Sequence, residues 1–287
     1  MLWSRAKTIL IVAFLLINIL LLSYLFSGNF EDDSHSLLDL TAVLSENGIH
    51  LRVDKMPQSV AKLHVPELSP LMIEESLANQ LIEHPVATET GFTNEERTCF
   101  LEQRDGLFFY RNEAPADGRF YNLKQDNAVS KIRPHLDKLG VGHLTYAVSI
   151  SQIGEDIVVE YAYRIGDYKL FGSRFAVTVN KNGIKQIKGF LGTVDGDNGF
   201  LYQLSQLRTV LLSLAQNNLG GVEITHIELG YHLVNYRDVL VSQAIPVYRL
   251  RTSQGEYLLD ARDGVEYTER VLSGDLKEGY DEEIFAD

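Results

Sequence analysis

Two of the eight histidines, His226 and His232, have a spacing that suggests shared chemistry. They lie in a segment predicted to be a strand, where an even separation places both side chains on one face. A zinc site needs at least a third ligand, and the sequence offers none at a suitable spacing. We therefore expect ordinary surface histidines here, and neither a bound metal nor another cofactor.

The sequence Asp-Gly-Asp-Asn-Gly at residues 195–199 is similar to the start of a calcium-binding loop, because hard cations favour carboxylate and amide oxygens. The residues that follow, Leu201 to Gln203, are predicted to begin a helix at once. The loop then ends before a downstream bidentate acid can complete the site. A structural turn is the favoured interpretation.

A cluster of aromatic residues either lines a groove for a peptide or a glycan or belongs to the core. Core packing is favoured, because aromatic side chains dominate core energetics. The cluster comprises Phe108, Phe109, Tyr110, Phe120 and Tyr121. Cys99 is the only cysteine, which excludes an intrachain disulfide and a cysteine-based metal cluster.

The sequence contains no H-E-x-x-H, G-x-S-x-G, Walker or G-x-G-x-x-G motif, so we predict a protein without catalytic activity. A wall-active enzyme is the weakest alternative, since it requires paired carboxylates in a cleft. The net charge of -13 argues against nucleic acid binding, which depends on Lys and Arg.

Residues 8–30 contain no charged side chain and are long enough, as a helix, to cross the roughly 30 Å hydrocarbon layer of a bilayer. Arg5 and Lys7 precede this segment and acids follow it. The positive-inside rule therefore places residues 1–7 in the cytoplasm and the bulk of the chain outside the cell membrane. We predict an uncleaved single-pass anchor.

Asn18 lies near the middle of the predicted anchor, where its amide needs hydrogen-bond partners in a region without water. Two interpretations stay open: a contact with another transmembrane helix, or a bond to the backbone of its own helix. The acids Glu31, Asp32 and Asp33 just beyond the anchor are interpreted as a solvated linker, with a docking patch as the alternative.

Hydrophobic periodicity predicts several helices and strands. We expect helices over 37–47, 71–82, 129–139 and 201–214, and the motif Thr-x-x-Glu at 93–96 fits a helix capping box. Predicted strands cover 49–54, 107–110, 144–150, 156–164, 171–179, 184–194, 222–233, 245–251 and 256–260. Helices laid over meandering antiparallel strands indicate an α+β fold.

The predicted organisation has five parts. They are a cytoplasmic start at 1–7, a transmembrane anchor at 8–30, the N-terminal part of the extracytoplasmic region at 31–125, a C-terminal α+β domain at 126–265, and an acidic tail at 266–287. The tail is assigned because acids outnumber bases there and apolar periodicity is weak.

Three short segments carry a resemblance to a known family. Trp-Ser-Arg-Ala-Lys-Thr-Ile at 3–9 runs into the anchor, Pro-Val-Tyr-Arg-Leu occupies 246–250, and Gly-Glu-Tyr-Leu-Leu-Asp-Ala occupies 255–261. Together with the layout, these segments resemble YycI (WalI), a family of two-component-system regulatory proteins. The last segment is also similar to small extracytoplasmic modules of the PepSY type.

The resemblance implies a regulator that binds the sensor histidine kinase YycG (WalK) together with a YycH-like protein in the membrane. Such a protein would adjust kinase activity and thereby cell-wall homeostasis. The family makes much of this contact through transmembrane helices, so Phe14, Asn18, Leu21 and Leu22 are the candidate partner-binding residues. The alternative function is an extracytoplasmic ligand-binding or protease-modulating module.

Overall fold

The structure is a computed structural model that describes residues 14–15, 17–19, 33–58, 60–104, 106–216, 221–234 and 242–266. Most of the predicted anchor, including Leu21 and Leu22, lies outside these residues, and so does the predicted tail beyond Glu266. Among the described residues, no helix combines the length and the hydropathy needed to span a membrane.

Residues 14–15 and 17–19 are helical, and from residue 33 onward the described chain contains four helices and two short 3₁₀ turns. The helices are α1 (Asp33–Glu46), α2 (Glu75–Leu81), α3 (Gln125–Lys138) and α4 (Leu207–Gln216), and the 3₁₀ turns are Gly118–Phe120 and Gly142–Leu144. The predicted helices at 37–47 and 129–139 correspond to α1 and α3.

The strands outnumber the helices and account for most of the ordered structure. They are β1 (Ile49–Leu51), β2 (Lys62–Pro70), β3 (Val86–Ala87), β4 (Gly91–Thr93), β5 (Cys99–Arg104), β6 (Leu107–Asn112), β7 (Thr145–Ile153), β8 (Asp156–Ile165), β9 (Tyr168–Asn180), β10 (Gly183–Gly189), β11 (Gly192–Gln203), β12 (Val222–Val234), β13 (Ser242–Thr252) and β14 (Gly255–Asp260).

All fourteen strands belong to one sheet. Its main path runs β11-β2-β13-β12-β9-β10-β6-β5-β4-β3, with β14 beside β13, β1 beside β12, and β7 joined through β8 to β9. Only the pairs β1–β12 and β12–β9 are parallel. The predicted α+β class with a mainly antiparallel sheet is therefore confirmed for the described region.

The sheet consists of two antiparallel groups that meet where β12 runs parallel to β9. Only three residue pairs make this contact, from Gly230 opposite Lys169 to His232 opposite Phe171. A Cβ atom at Gly230 would lie 2.5 Å from both the Lys169 carbonyl oxygen and the Phe171 ring. Glycine is therefore required for β12 to approach β9 this closely.

The sheet takes strands from both sides of the predicted boundary at residues 125 and 126. For example, β2 of the first part pairs with β11 and β13 of the second. The division into two extracytoplasmic parts stays a prediction.

The helices pack against the rest of the fold through apolar side chains on one face of each helix. Helix α1 contacts β1 and α4 and buries Leu40 and Leu44, while α3 contacts β7 and β8. The buried residues of α3 recur at helical spacing as Ala128, Ile132 and Leu136. The leucine stripe predicted for the helix over 201–214 is also largely buried: Leu204, just before α4, and Leu211 and Leu214 within it are buried, and Leu207 is half-buried.

The helix predicted over 201–214 begins six residues late. Leu201 and Tyr202 lie in β11 and pair with His64 and Leu63 of β2, so a strand partner overrides the helical periodicity. No element is predicted over β2, which contains Pro66 and Pro70 although proline is rare inside a sheet. Pro66 lies where the β11–β2 register shifts, and the ladder needs no N–H there.

Four further sequence predictions require correction. The capping box at 93–96 starts no helix, because Thr93 ends β4 and the chain turns into β5. The strand predicted over 184–194 is two strands, β10 and β11, separated at Phe190 and Leu191. The helix predicted over 71–82 contracts to α2, and the strand predicted over 49–54 contracts to β1.

Tyr163 of β8 fixes the point where the chain leaves one strand group for the other. Its hydroxyl donates to the Phe190 carbonyl oxygen at 3.2 Å and accepts from the Gly192 backbone N–H at 3.0 Å. The side chain is fully buried and its ring meets Phe190 edge to face, with centroids 5.8 Å apart. One hydroxyl thus satisfies two backbone groups that the connection from β10 to β11 leaves in the core.

Replacing Tyr163 with phenylalanine is expected to lower the free energy of unfolding by about 1–3 kcal/mol, because two buried backbone groups lose their partner. Denaturant unfolding followed by circular dichroism measures this change. Tyr121→Phe is the matched control, since Tyr121 is 78% exposed and should be nearly neutral. Equal stability of the two variants would contradict the role assigned to Tyr163.

Candidate functional site

A cavity of about 840 Å³ lies between the C-terminal ends of α2 and α3 and the strands β5, β6 and β10. The floor is formed by strand residues, while the loop at 114–117 and Arg119 form part of the wall. Most of the side chains that line the cavity are polar, including Asn79, Asn94, Asn112 and His135. The cavity is the candidate functional site.

The floor of the cavity contains a short hydrogen-bonded chain. Asn112 donates through Nδ2 to the Tyr110 hydroxyl at 3.3 Å, and the Tyr110 hydroxyl and the Cys99 thiol are hydrogen-bonded. The strand register explains the grouping, because Cys99 lies opposite Asn112. Burial raises the pKa of the Cys99 thiol, so this cysteine stays protonated and is a poor nucleophile.

Asn94 closes one end of the cavity by organising the turn between β4 and β5. Its Oδ1 accepts from the backbone N–H of Thr98 at 2.8 Å and of Cys99 at 3.0 Å, while its Nδ2 donates to the Thr98 hydroxyl at 2.9 Å. The asparagine thus supplies the bonds that a first helical turn would otherwise make. This explains why the predicted capping box becomes a turn.

An ion pair with a neighbouring histidine forms part of the wall. Arg119 donates through Nη2 to Asp117 Oδ2 at 2.6 Å and through Nε to Asp117 Oδ1 at 2.9 Å. His135 Nε2 lies 3.2 Å from Asp117 Oδ2 and 3.1 Å from Arg119 Nη2. Lys131 donates to the Arg119 carbonyl oxygen, which ties the loop to α3.

The electrostatics of this wall follow from that geometry. The hydrogen bonds from Arg119 lower the pKa of Asp117 to about 2, from an ordinary value of 3.8. Burial lowers the pKa of His135, and the charge of Arg119 adds to this effect although Asp117 opposes it. A neutral imidazole accepts the hydrogen of Arg119 Nη2, whereas a protonated one would place two donors face to face.

The arrangement is suited to binding a polar molecule rather than to covalent chemistry. Its cysteine is protonated, and its aspartate already pairs with arginine. Arg119 retains 55% exposure of its side chain at the cavity wall and so can meet a ligand. Among the described residues, no group of three or more His, Cys, Asp or Glu side chains is placed to hold a metal ion.

The predicted histidine pair does not come together. His226 and His232 share one face of β12, but six residues of extended chain separate them by about 20 Å. His226 is about half exposed, as expected for a surface residue, and lies 4.0 Å from Glu228. His232 is partly buried, and burial lowers its pKa, so the surface interpretation is wrong for His232.

The segment 195–199 lies within β11, where the register with β2 shifts between Asp195 and Phe200. Its side chains fall outside the described residues, and so do those of the predicted linker or docking patch at 31–33. Because residues 195–199 lie in β11 and Phe200 and Leu201 continue the strand, the interpretation of 195–199 as a turn before a helix is wrong.

The aromatic cluster divides between core and surface. Phe108, Phe120 and Tyr110 are buried, which confirms the core interpretation for these three. Phe109 is half-buried with Lys188 Nζ 5.9 Å from its ring centroid, and Tyr121 is exposed. Tyr110 also lines the cavity, so for this residue the interpretation as part of a ligand-binding groove stays open.

Sequence reasoning missed the wall formed by Asp117, Arg119 and His135. Asp117 and Arg119 lie in a segment for which no helix or strand is predicted, and His135 follows sixteen residues after Arg119. Neither spacing corresponds to a known motif. A histidine near the C-terminal end of a predicted helix was the only available signal.

Comparison with known proteins identifies no family. No family model matches the chain, and no curated protein matches it. An uncharacterized protein from Eubacterium rectale aligns with a TM-score of 0.44 at 10% identity, over 83% of this chain and 99% of that chain. The YpeB C-terminal domain of Bacillus megaterium aligns with a TM-score of 0.35 at 9% identity, over 68% of this chain and 95% of that chain. Likenesses this distant carry no argument about function.

Asp117→Asn is expected to lower the free energy of unfolding near neutral pH by about 1 kcal/mol, because Arg119 loses a carboxylate partner. A pKa lowered to about 2 means that this contribution is complete above about pH 4. It is lost as the pH falls through about 2, so wild type and variant should converge there.

Urea unfolding measured between neutral pH and about pH 2 tests this expectation. Asp137→Asn serves as control, since it removes only the exposed i,i+4 pair with Arg133, worth about 0.3–0.5 kcal/mol. A difference between wild type and Asp117→Asn that stays constant over the whole range would contradict the assigned pKa.

Proposed function

We propose that the protein is a membrane-anchored, non-catalytic regulator of the YycI type. It would bind a sensor histidine kinase of the YycG type together with a YycH-like protein in the cell membrane and adjust kinase activity, with consequences for cell-wall homeostasis. Its N-terminus lies in the cytoplasm and its folded region outside. The proposal rests first on residues 8–30, an uncharged apolar segment that leads directly into the folded region.

The junction between this segment and the folded region supports the proposal. Helix α1 begins at Asp33, three residues after Phe30, and its residues Leu40 and Leu44 are buried against the rest of the core. Because α1 contacts both β1 and α4, it is an integral part of the packed fold. A displacement of the anchor would therefore be transmitted to the folded region.

This connection suits regulation by differential binding. A protein that binds one conformation of a two-state kinase more tightly shifts the equilibrium towards it, and couplings of about 1–3 kcal/mol are typical. No bond is made or broken in such a mechanism. The anchor supplies the contact, and the folded region constrains how the anchor is held.

The described residues of the anchor are consistent with a surface for another helix. Phe14, Leu15, Ile17 and Ile19 are helical and each more than half exposed. Asn18 donates through Nδ2 to the Phe14 carbonyl oxygen at 2.9 Å, so its own helix satisfies part of the amide. An asparagine amide has two hydrogens and an oxygen, so this bond leaves capacity for a partner.

Exchanging residues 8–30 for an unrelated apolar helix is expected to abolish capture of the kinase and the YycH-like protein from detergent-solubilised membranes. Asn18→Leu should weaken capture only about threefold, because interhelical hydrogen bonds average about 0.6 kcal/mol. Quantitative co-purification measures both effects. Ile17→Leu is the control and should capture both partners as wild type does.

Unchanged capture after the exchange would overturn the anchor as the binding element. Unchanged capture by Asn18→Leu alone would remove only Asn18 from the contact and leave Phe14, Leu21 and Leu22 as candidates.

A second candidate function is favoured by the cavity. An extracytoplasmic ligand-binding or protease-modulating module needs a concave site with converging polar groups. The cavity meets that requirement with Arg119, His135 and the amides of Asn79 and Asn112. A peptide or cell-wall fragment would be the natural ligand class, because amides and a guanidinium recognise carbonyl and carboxylate groups.

If the cavity binds such a ligand, a defined muropeptide should raise the melting temperature of the full chain in a saturable way. Ala116→Trp should abolish that increase, because the indole would occupy the cavity that Ala116 lines. Thermal shift measurements with Val86→Trp as surface control decide the question. A response that survives Ala116→Trp would place the ligand elsewhere, and no response at all would count against the ligand-binding function.

A further inference from the structure

Strand β7 presents an unpaired edge to its surroundings. Among the described residues it pairs with β8 alone, so the backbone groups on its other side have no strand partner. Its apolar side chains are unusually open, with Val148 46%, Ile150 41% and Ile153 67% exposed. From Val148 onward every residue of β7 is exposed, so both faces of the strand are accessible at this edge.

This edge has few of the features that normally prevent strands from pairing between molecules. Natural edge strands are protected by charges, proline, short length or bulges. The whole stretch 139–154 contains no Asp, Glu, Lys, Arg or Pro, in a chain with 23% charged residues. One bulge, between Ala147 and Ser149, interrupts β7 and leaves Ser149–Ile153 as its regular part.

The surroundings of this edge are close to electrically neutral although the chain is acidic. Every acid in the strand and turn next to β7 has a basic neighbour, as the following ion pairs show. They are Glu155 with Lys181 at 3.9 Å, Asp156 with Lys185 at 2.6 Å, and Glu160 with Arg174 at 3.9 Å. Two such edges can therefore approach each other without the repulsion that the net charge of -13 would suggest.

We propose that β7 is a self-association surface, where Ser149–Ile153 pairs antiparallel with the same segment of a second copy of this chain. Two-fold pairing places the strand opposite itself, which is unfavourable for a charged strand and acceptable for an uncharged one. The contact is closed, because each copy contributes its one β7 edge. The sheet then continues from one molecule into the other.

A second copy fits this edge better than the chain's own C-terminal segment. Residues 267–287 are rich in acids, and the stretch 139–154 has no Lys or Arg to attract them. In the antiparallel pairing of Ser149–Ile153 with itself, Ile150 lies opposite Gln152 and Ile153 opposite Ser149, so each β-branched side chain meets an uncharged one. Five regular residues from each copy bury less than the roughly 1,600 Å² of a standard interface, so the dimer should be weak and concentration-dependent.

The test is sedimentation equilibrium of the full chain in detergent micelles over a concentration series. Wild type should shift from monomer to dimer. Ile150→Lys combined with Ile153→Lys should weaken dimerisation about tenfold, because the lysines at 150 in the two copies become diagonal neighbours and both edges become positively charged. Met72→Lys combined with Val86→Lys is the matched control. Both of its sites are exposed and apolar but remote in sequence from β7, so it should dimerise as wild type does.

A charge complement makes the test independent of folding defects. A chain with Ile150→Glu and Ile153→Glu should form mixed dimers with the lysine chain, while each alone stays largely monomeric. In addition, Ser151→Cys near the centre of the paired segment should give a disulfide-linked dimer under mild oxidation, and Val86→Cys should not.

The proposal is overturned if wild type stays monomeric throughout the series, or if the two lysine pairs weaken the dimer equally. Assemblies larger than a dimer that depend on β7 would also overturn it, because a closed two-fold contact stops at two copies. The same holds if the charge-complementary chains fail to form mixed dimers while both remain folded by circular dichroism.

Discussion

The hydroxyl of Tyr163 holds the two strand groups in one fold, because it satisfies the backbone where the chain crosses between them. The connection from β10 to β11 passes through the core at Phe190 and Leu191, both almost fully buried. A buried crossing leaves backbone N–H and C=O groups without water, and such groups must find partners. Tyr163 supplies a donor and an acceptor from a single atom, and the Phe190 ring packs against it. The second contact between the groups, at Gly230, depends on the absence of a side chain.

The cavity lies in the strand group that contains β5, β6 and β10, and its geometry follows from the strand register and the ends of two helices. Its charged wall neutralises itself, because Asp117 and Arg119 pair and His135 remains uncharged between them. A ligand at this site would meet neutral amides and a partly exposed guanidinium rather than a strong field. That chemistry favours reversible binding, and it is compatible with a regulator whose folded region also responds to a small molecule.

The proposed regulatory function depends on mechanical continuity rather than on a reacting group. Helix α1 follows the apolar N-terminal segment closely and is anchored in the core by Leu40 and Leu44. Its neighbour β1 pairs with β12, and β12 in turn runs beside β9 of the other strand group. A change at α1 therefore has a packed route to the centre of the sheet, and the self-association proposed at the β7 edge would use a separate surface.

The sequence by itself determined the α+β class, the positions of α1 and α3, and most strands of the second half, because periodicity reports directly which side of an element is buried. It also determined the uncharged segment at 8–30 and the absence of familiar catalytic motifs. Only the tertiary structure decided the start of α4, since Leu201 and Tyr202 follow the strand partner β2 rather than their helical spacing. It likewise decided the cavity wall, where Asp117 and His135 meet although eighteen positions apart in the chain. Such contacts depend on which elements pack together, and that choice is made by the whole core rather than by any local stretch of sequence.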